Sequence, residues 1–150
     1  MERTLILVKP DGVQRGLAGA VLSRLEARGL KIVALRLLQM DRQMAQRHYS
    51  AHEGKPFFQG LVDFITAGPI VAAVFEGRNA IEVVRQTMGA TDPAKATPGT
   101  IRGDFALDIG RNIIHGSDSQ ESAEKEMGIF FQPGEVLTYR RDTDPWITEA

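Results

Sequence analysis

The sequence predicts an α/β sandwich built on four strands, with two βαβ-like crossovers and helices on one face of the sheet. Three observations lead there. Apolar runs of strand length, Arg3 to Val8 and Ile70 to Phe75, alternate with segments whose apolar residues recur at helical spacing. Glycine and proline punctuate the boundaries between them. Only four strand candidates are present, and a doubly wound parallel sheet normally needs more.

The elements follow in order. Arg3 to Val8 reads as a buried strand stopped by the turn former Pro10-Asp11-Gly12. Leu17, Val21, Leu22 and Leu25 then share one helical face, and Gly29 is placed to cap that helix. Lys31 to Gln39 alternates as a second strand, and Gln43 to His52 and Phe57 to Ala67 read as two short helices, the second stopped by Gly68-Pro69. Ile70 to Phe75 is a fully buried strand, and Asn79-Ala80-Ile81-Glu82 resembles a capping box opening a helix that closes at Gly89. Ala90 to Gly110 has little periodicity, and loops of that length inside a compact domain are usually functional. A short strand over Asn112 to His115 and a helix over Ser117 to Met127 complete the set, with Gly128 beyond the helix end. Strands and crossovers in this order favour a ferredoxin-like βαββαβ arrangement, a four-stranded antiparallel sheet covered by helices.

No linker or repeat divides the 150 residues, so residues 1–150 read as a single domain, and 43% hydrophobic side chains suit a soluble one. Eighteen Lys and Arg against nineteen Asp and Glu leave a net charge of −1, which gives no field to draw in a nucleic acid or an anionic membrane. Cysteine is absent, which excludes disulfides, thiolate catalysis and cysteine-rich metal sites. The longest uninterrupted apolar run is Ile70 to Phe75, far short of the ~20 residues that span a bilayer, and no signal peptide fits the N-terminus. The expectation is a cytoplasmic protein.

Glycine-rich phosphate motifs are missing, so any phosphate must be held by side chains. His48 and His52, four apart on a helix, form either a metal-binding pair or part of a solvated face; Tyr49 stands where a metalloprotease needs glutamate. His115 at a strand end is either a structural residue or a nucleophile. The second reading gains from Gly116, which leaves room for a ligand to approach the ring. It gains also from Ser117 and Asp118 at a helix start and from an imidazole neutral enough to attack unaided. Lys9, Arg85 and Arg102 are either solvated charges or an anion-binding set. Phe57 is either core or free to stack on something flat.

Asn112-Ile113-Ile114-His115-Gly116-Ser117-Asp118 resembles the active-site signature of the nucleoside diphosphate kinases. The likeness extends to Leu5 through Val13, to His48-Tyr49 and Lys55-Pro56-Phe57-Phe58, and to Ala90-Thr91-Asp92-Pro93. It continues through Pro98 to Asp104 and Ser119 to Gly128, in register from about Thr4 to Trp146. The resemblance implies a ping-pong transfer of the terminal phosphate of a nucleoside triphosphate, such as ATP, to a nucleoside diphosphate, with broad base tolerance. It implies His115 as the nucleophile, Glu126 orienting its ring with Ser117 close by, and Lys9, Arg85, Thr91 and Arg102 on the phosphates with Tyr49 beside them. Asn112 and Lys9 match the groups on the ribose hydroxyls, Phe57 the stacking aromatic, and Asp118 the acid that supports a phosphate-bound Mg²⁺ through water. The loop from Ala90 to Gly110 corresponds to the family's nucleotide-covering loop. A homo-oligomer is implied, a hexamer favoured by the long tail and Pro93, with a tetramer as the other form. Arg85 and Arg102 are both expected to face the cleft, so that alanine at either leaves the fold nearly intact.

Overall fold

The computed structural model describes residues 1–149. Four strands, β1 (Glu2–Val8), β2 (Lys31–Leu38), β3 (Ile70–Gly77) and β4 (Ile114–Gly116), form one antiparallel sheet in the order β2-β3-β1-β4. The helices are α1 (Pro10–Gln14), α2 (Ala18–Ala27), α3 (Arg42–His48), α4 (Phe58–Ile65), α5 (Ala80–Met88), α6 (Ile101–Phe105) and α7 (Gln120–Phe130). This is the expected ferredoxin-like topology, with β1 central because it is apolar on both sides.

The central strand also corrects the expectation of helices on one face. Leu5 and Leu7 join a cluster with Ala45, Val62, Ile65 and Phe130 of α3, α4 and α7, while Ile6 and Val8 join one with Val21, Leu25, Val84 and Met88 of α2 and α5. Successive strand residues point to opposite faces, so an unbroken apolar run requires cover on both. Helices α3 and α4, which follow β2, form the second layer with α7.

Several boundaries shift for local reasons. Pro10-Asp11-Gly12 opens α1, with proline in its first turn. Gly29, at φ 99°, ends α2 as expected. Asn79 makes no side-chain cap; Glu2 reaches across from β1, and its Oε1 accepts the Ile81 amide at 2.8 Å. Helix α7 begins at Gln120, capped by the Ser119 hydroxyl on the Ser122 amide at 3.0 Å, and it runs through Gly128 to Phe130. Ser117 and Asp118 therefore precede α7 rather than sitting in its first turn. The long loop is folded: Asp92 caps a 3-10 turn at Pro93–Lys95, Thr100 caps α6, and an Arg24–Asp104 ion pair of 2.7 Å ties the loop to α2. Beyond α7 the tail returns along the start of β2, where Val33, the bulged residue, accepts the Leu137 amide at 2.9 Å.

Candidate active site

A cleft of about 480 Å³ opens where the C-terminal end of β1, the start of β4, α3, α5 and the long loop converge. Lys9, Phe57, Arg85, Thr91, Arg102 and Asn112 line it, and so do Tyr49, His115, Asp118 and Glu126. Ser117 is fully buried behind them. Residues more than a hundred positions apart are brought together here by the pairing of β1 with β4.

His115 lies in β4 opposite Leu7. Its Nε2 is 2.8 Å from Glu126 Oε1, and the Ser117 hydroxyl donates to Glu126 Oε2 at 2.5 Å. Helical rise from Ser117 would carry Glu126 away from His115. The chain instead reverses at Ser117–Ser119, so α7 runs back across the sheet and Glu126 returns over the histidine. Burial pushes the Glu126 carboxyl up, but the hydrogen bonds from His115 and Ser117 and the nearby imidazole hold it below the usual carboxylate range. An ionised carboxylate only accepts, so Nε2 carries the ring proton and Nδ1 keeps the lone pair. Gly116 lines the cleft and has a packing reason besides. A Cβ there would lie 2.5 Å from Met88 Sδ and 3.3 Å from Val84 Cγ1, so glycine lets α5 pack against β4.

Lys9 follows β1, and its Nζ donates to Asn112 Oδ1, while Asn112 Nδ2 donates to the Thr91 carbonyl at 2.9 Å. Burial is the main reason its ammonium titrates low, at about 8; Asp11 opposes the shift, and Arg102 and Arg111 add to it. Arg85 is exposed and reaches the Gly116 carbonyl at 3.0 Å. Arg102 departs from the solvated-charge reading, being only 5% exposed. Its Nε, Nη1 and Nη2 donate to the carbonyls of Asn112, Gly89 and Ile114 at 3.2, 3.2 and 2.5 Å. Burial, then the Arg85 charge, lowers it to about 10. Tyr49 is pushed up to about 12, by burial first and then by the Glu126 charge. Phe57 stays 51% exposed on the rim.

Two residues escaped sequence reasoning. His48 is not on a solvated face: it is buried, and its ring stands edge-on to His115 with centroids 4.8 Å apart. Its spacing from Ala45, three residues earlier on the buried face of α3, was the available signal. Asp11 accepts the Ile113 amide at 2.9 Å, and Lys9 donates its amide to the Ile113 carbonyl at 2.8 Å. They hold Ile113 at φ 74° in a three-residue turn closed by the Ile114 amide on the Asn112 carbonyl at 2.8 Å. A β-branched residue there is strained by about 1–3 kcal/mol, and the turn aims β4 and His115 into the cleft.

A family model described as nucleoside diphosphate kinase matches residues 2–136. The chain belongs to that family. A nucleoside diphosphate kinase of Thermomicrobium roseum is 61% identical over 98% of this chain and 99% of its own length, and one of Desulforamulus reducens is 59% identical over 99% and 100%. Among solved structures, a halophilic nucleoside diphosphate kinase from Halobacterium salinarum in complex with CDP superposes with a TM-score of 0.96 at 51% identity, covering 99% of both chains. A family member from Babesia bovis also reaches a TM-score of 0.96, at 44% identity over 99% of this chain and 100% of its own. The chain is thus a nucleotide-binding kinase of a family that transfers phosphoryl groups from nucleoside triphosphates to diphosphates with a divalent metal. Among the described residues no helix is long and apolar enough to cross a membrane.

Proposed function

We propose that this kinase works by a ping-pong cycle through a phosphohistidine on His115 Nδ1, with Mg²⁺ and with little regard for the base. The observation that carries the reading is the hydrogen-bonded series Ser117–Glu126–His115, which engages one imidazole nitrogen and leaves the other for a substrate in a cleft lined by Lys9, Arg85 and Arg102 among its cations.

In the first half-reaction the Nδ1 lone pair forms a bond to the γ-phosphorus. The bond from phosphorus to the β,γ-bridging oxygen breaks, and the nucleoside diphosphate leaves with that electron pair. A second diphosphate enters the same cleft, and its terminal oxygen takes the phosphoryl group back from nitrogen. Positive charge gathers on the ring as the N–P bond forms, and Glu126 offsets it. Lys9, Arg85 and Arg102 face the phosphate oxygens with the Thr91 and Tyr49 hydroxyls. Arg102 spends three of a guanidinium's five N–H groups on carbonyls, which fixes its plane while leaving two for the substrate. Asn112 and Lys9 serve the ribose hydroxyls. Stacking on Phe57 contributes about 1–3 kcal/mol with any base, since every base has a π-face.

The donor set fits a phosphate-borne Mg²⁺. Of the two carboxylates lining the cleft, Glu126 has both oxygens engaged and Asp118 is exposed. Asp118 would hold the ion's water shell, and the ion when bound neutralises phosphate charge. Exposed Leu35 (54%) and Leu37 (69%) on the edge strand β2 support a homo-oligomer. The long tail and Pro93 favour a hexamer before a tetramer, and the enzyme works on nucleotide pools in the cytoplasm.

The test is γ-labelled ATP added to the protein, followed by GDP or CDP. The expected result is label on His115 that survives alkali, is lost in mild acid, moves to either diphosphate, and is absent in His115→Ala. Acid-stable label, or transfer without a phosphoenzyme, overturns the reading.

A further inference from the structure

We propose that His48, His115 and Glu126 form a binding site for one borderline-soft divalent ion, of which zinc is the type, and that occupancy of this site switches off phosphoryl transfer. His48 is the observation that requires explanation. It is 8% exposed, and neither ring nitrogen has a hydrogen-bond partner among the described residues. A buried polar group left in that state costs about 1–3 kcal/mol, and phosphoryl transfer makes no use of it. A nitrogen with a free lone pair, excluded from water and packed against two further donors, suits metal ligation. Burial, then the neighbouring His115, disfavours protonation of the ring, and the neutral form is the ligating one.

The donors converge. One ligand atom from each of His48, His115 and Glu126 lies within 4.8 Å of the other two. Donors sharing a tetrahedral zinc at about 2.1 Å stand about 3.4 Å apart, so the set must close further. His115, with 29% of its side chain exposed at the cleft, has the freedom to do so. Two imidazoles and a carboxylate with the cleft as the open side match a three-ligand zinc set. Imidazole donors favour zinc over Mg²⁺, which prefers oxygen, so Mg²⁺ carried by phosphates does not compete. Ser117, donating to the second oxygen of Glu126, would orient that carboxylate as a ligand.

The switch follows from proton bookkeeping and rests on the proposed role of His115. A neutral imidazole has one lone pair and one N–H. Glu126 stands on the Nε2 side of the ring, so an ion shared by His115 and Glu126 takes Nε2. The ring proton then moves to Nδ1, and no lone pair remains there to attack. A phosphoryl group on Nδ1 would in turn exclude the ion.

Calorimetric titration of the full chain with zinc chloride, in millimolar Mg²⁺ and without nucleotide, is the test. One ion per chain is expected. His48→Gln and His48→Phe, each shown folded by its melting curve, should lower affinity about tenfold or more. His52→Ala, on the neighbouring turn, should leave it within about twofold. Phosphoryl transfer to GDP should stop at saturating zinc and return with a chelator. Unchanged affinity in the folded His48 variants, or its loss in His52→Ala, overturns the site. A phosphoenzyme that forms normally while zinc fails to bind removes the site and leaves the catalytic reading intact. His48-dependent zinc binding in a protein that makes no phosphohistidine keeps the site and removes the catalytic reading with the switch.

Discussion

Lys9 carries a charge in a place that disfavours it. Its folded value of about 8 lies below the ordinary 10.5, so between those two pH values the unfolded chain binds more protons, and this residue's contribution to stability rises with pH. Below pH 8 its full cost is present. Lys9→Met should therefore raise the unfolding free energy at pH 7 by about 1–3 kcal/mol, a gain that disappears above pH 10.5; paired urea titrations at both pH values check it. A mutant less stable than the parent at pH 7 would show that the bond to Asn112 outweighs burial. In the parent, kcat/KM should fall as pH rises through about 8, since that ratio reports the free enzyme. Glu126→Gln keeps an acceptor for Nε2 but not the charge that offsets a developing imidazolium. The rate of phosphoenzyme formation should drop about 100-fold with nucleotide affinity nearly unchanged, measured by rapid quench. An unaltered rate would leave Glu126 with a structural role only.

At the scale of elements, Arg102 joins three pieces of chain: the end of α5 through Gly89, and both sides of the Ile113 turn through Asn112 and Ile114. Removing it strands buried carbonyls. Arg102→Ala should cost about 3 kcal/mol in the absence of nucleotide, while Arg85→Ala, with one part-buried contact, should cost under about 1 kcal/mol; both should lose transfer activity. Chemical denaturation of the two apo variants decides it, and equal stabilities would return Arg102 to the cleft surface. Sequence reasoning missed this because an arginine in an aperiodic loop carries no burial signal. It found β1 and β3, whose apolar runs are local. Spacing alone could not reach Glu126 against His115, since a reversal at Ser117–Ser119 fixes that contact and the family resemblance supplied it, nor the Gly116 fit to Met88, which joins distant elements. The strained Ile113 turn was likewise invisible, because a β-branched residue argues against positive φ.

At the scale of the molecule, the two-sided cover of β1 leaves the sheet with one long edge, β2, and that edge carries Leu35 and Leu37 outward. The same strand is held rigid: β3 pairs along its inner side, and the tail closes its start through Leu137, Tyr139 and Lys31. A pre-ordered edge with exposed leucines would expose a row of unpaired backbone groups and apolar surface in a lone chain, whereas a second copy would bury both at little ordering cost. The cleft lies at the opposite side of the sheet, around β1 and β4, so association through β2 leaves substrate access open. Leu35→Asp with Leu37→Asp places two charges where a partner strand would pack. Light scattering should find the parent as an oligomer and the double variant as a smaller species, melting several degrees lower and with a concentration-dependent midpoint lost. A monomeric parent, or a variant of unchanged size, would move the subunit contact away from this edge.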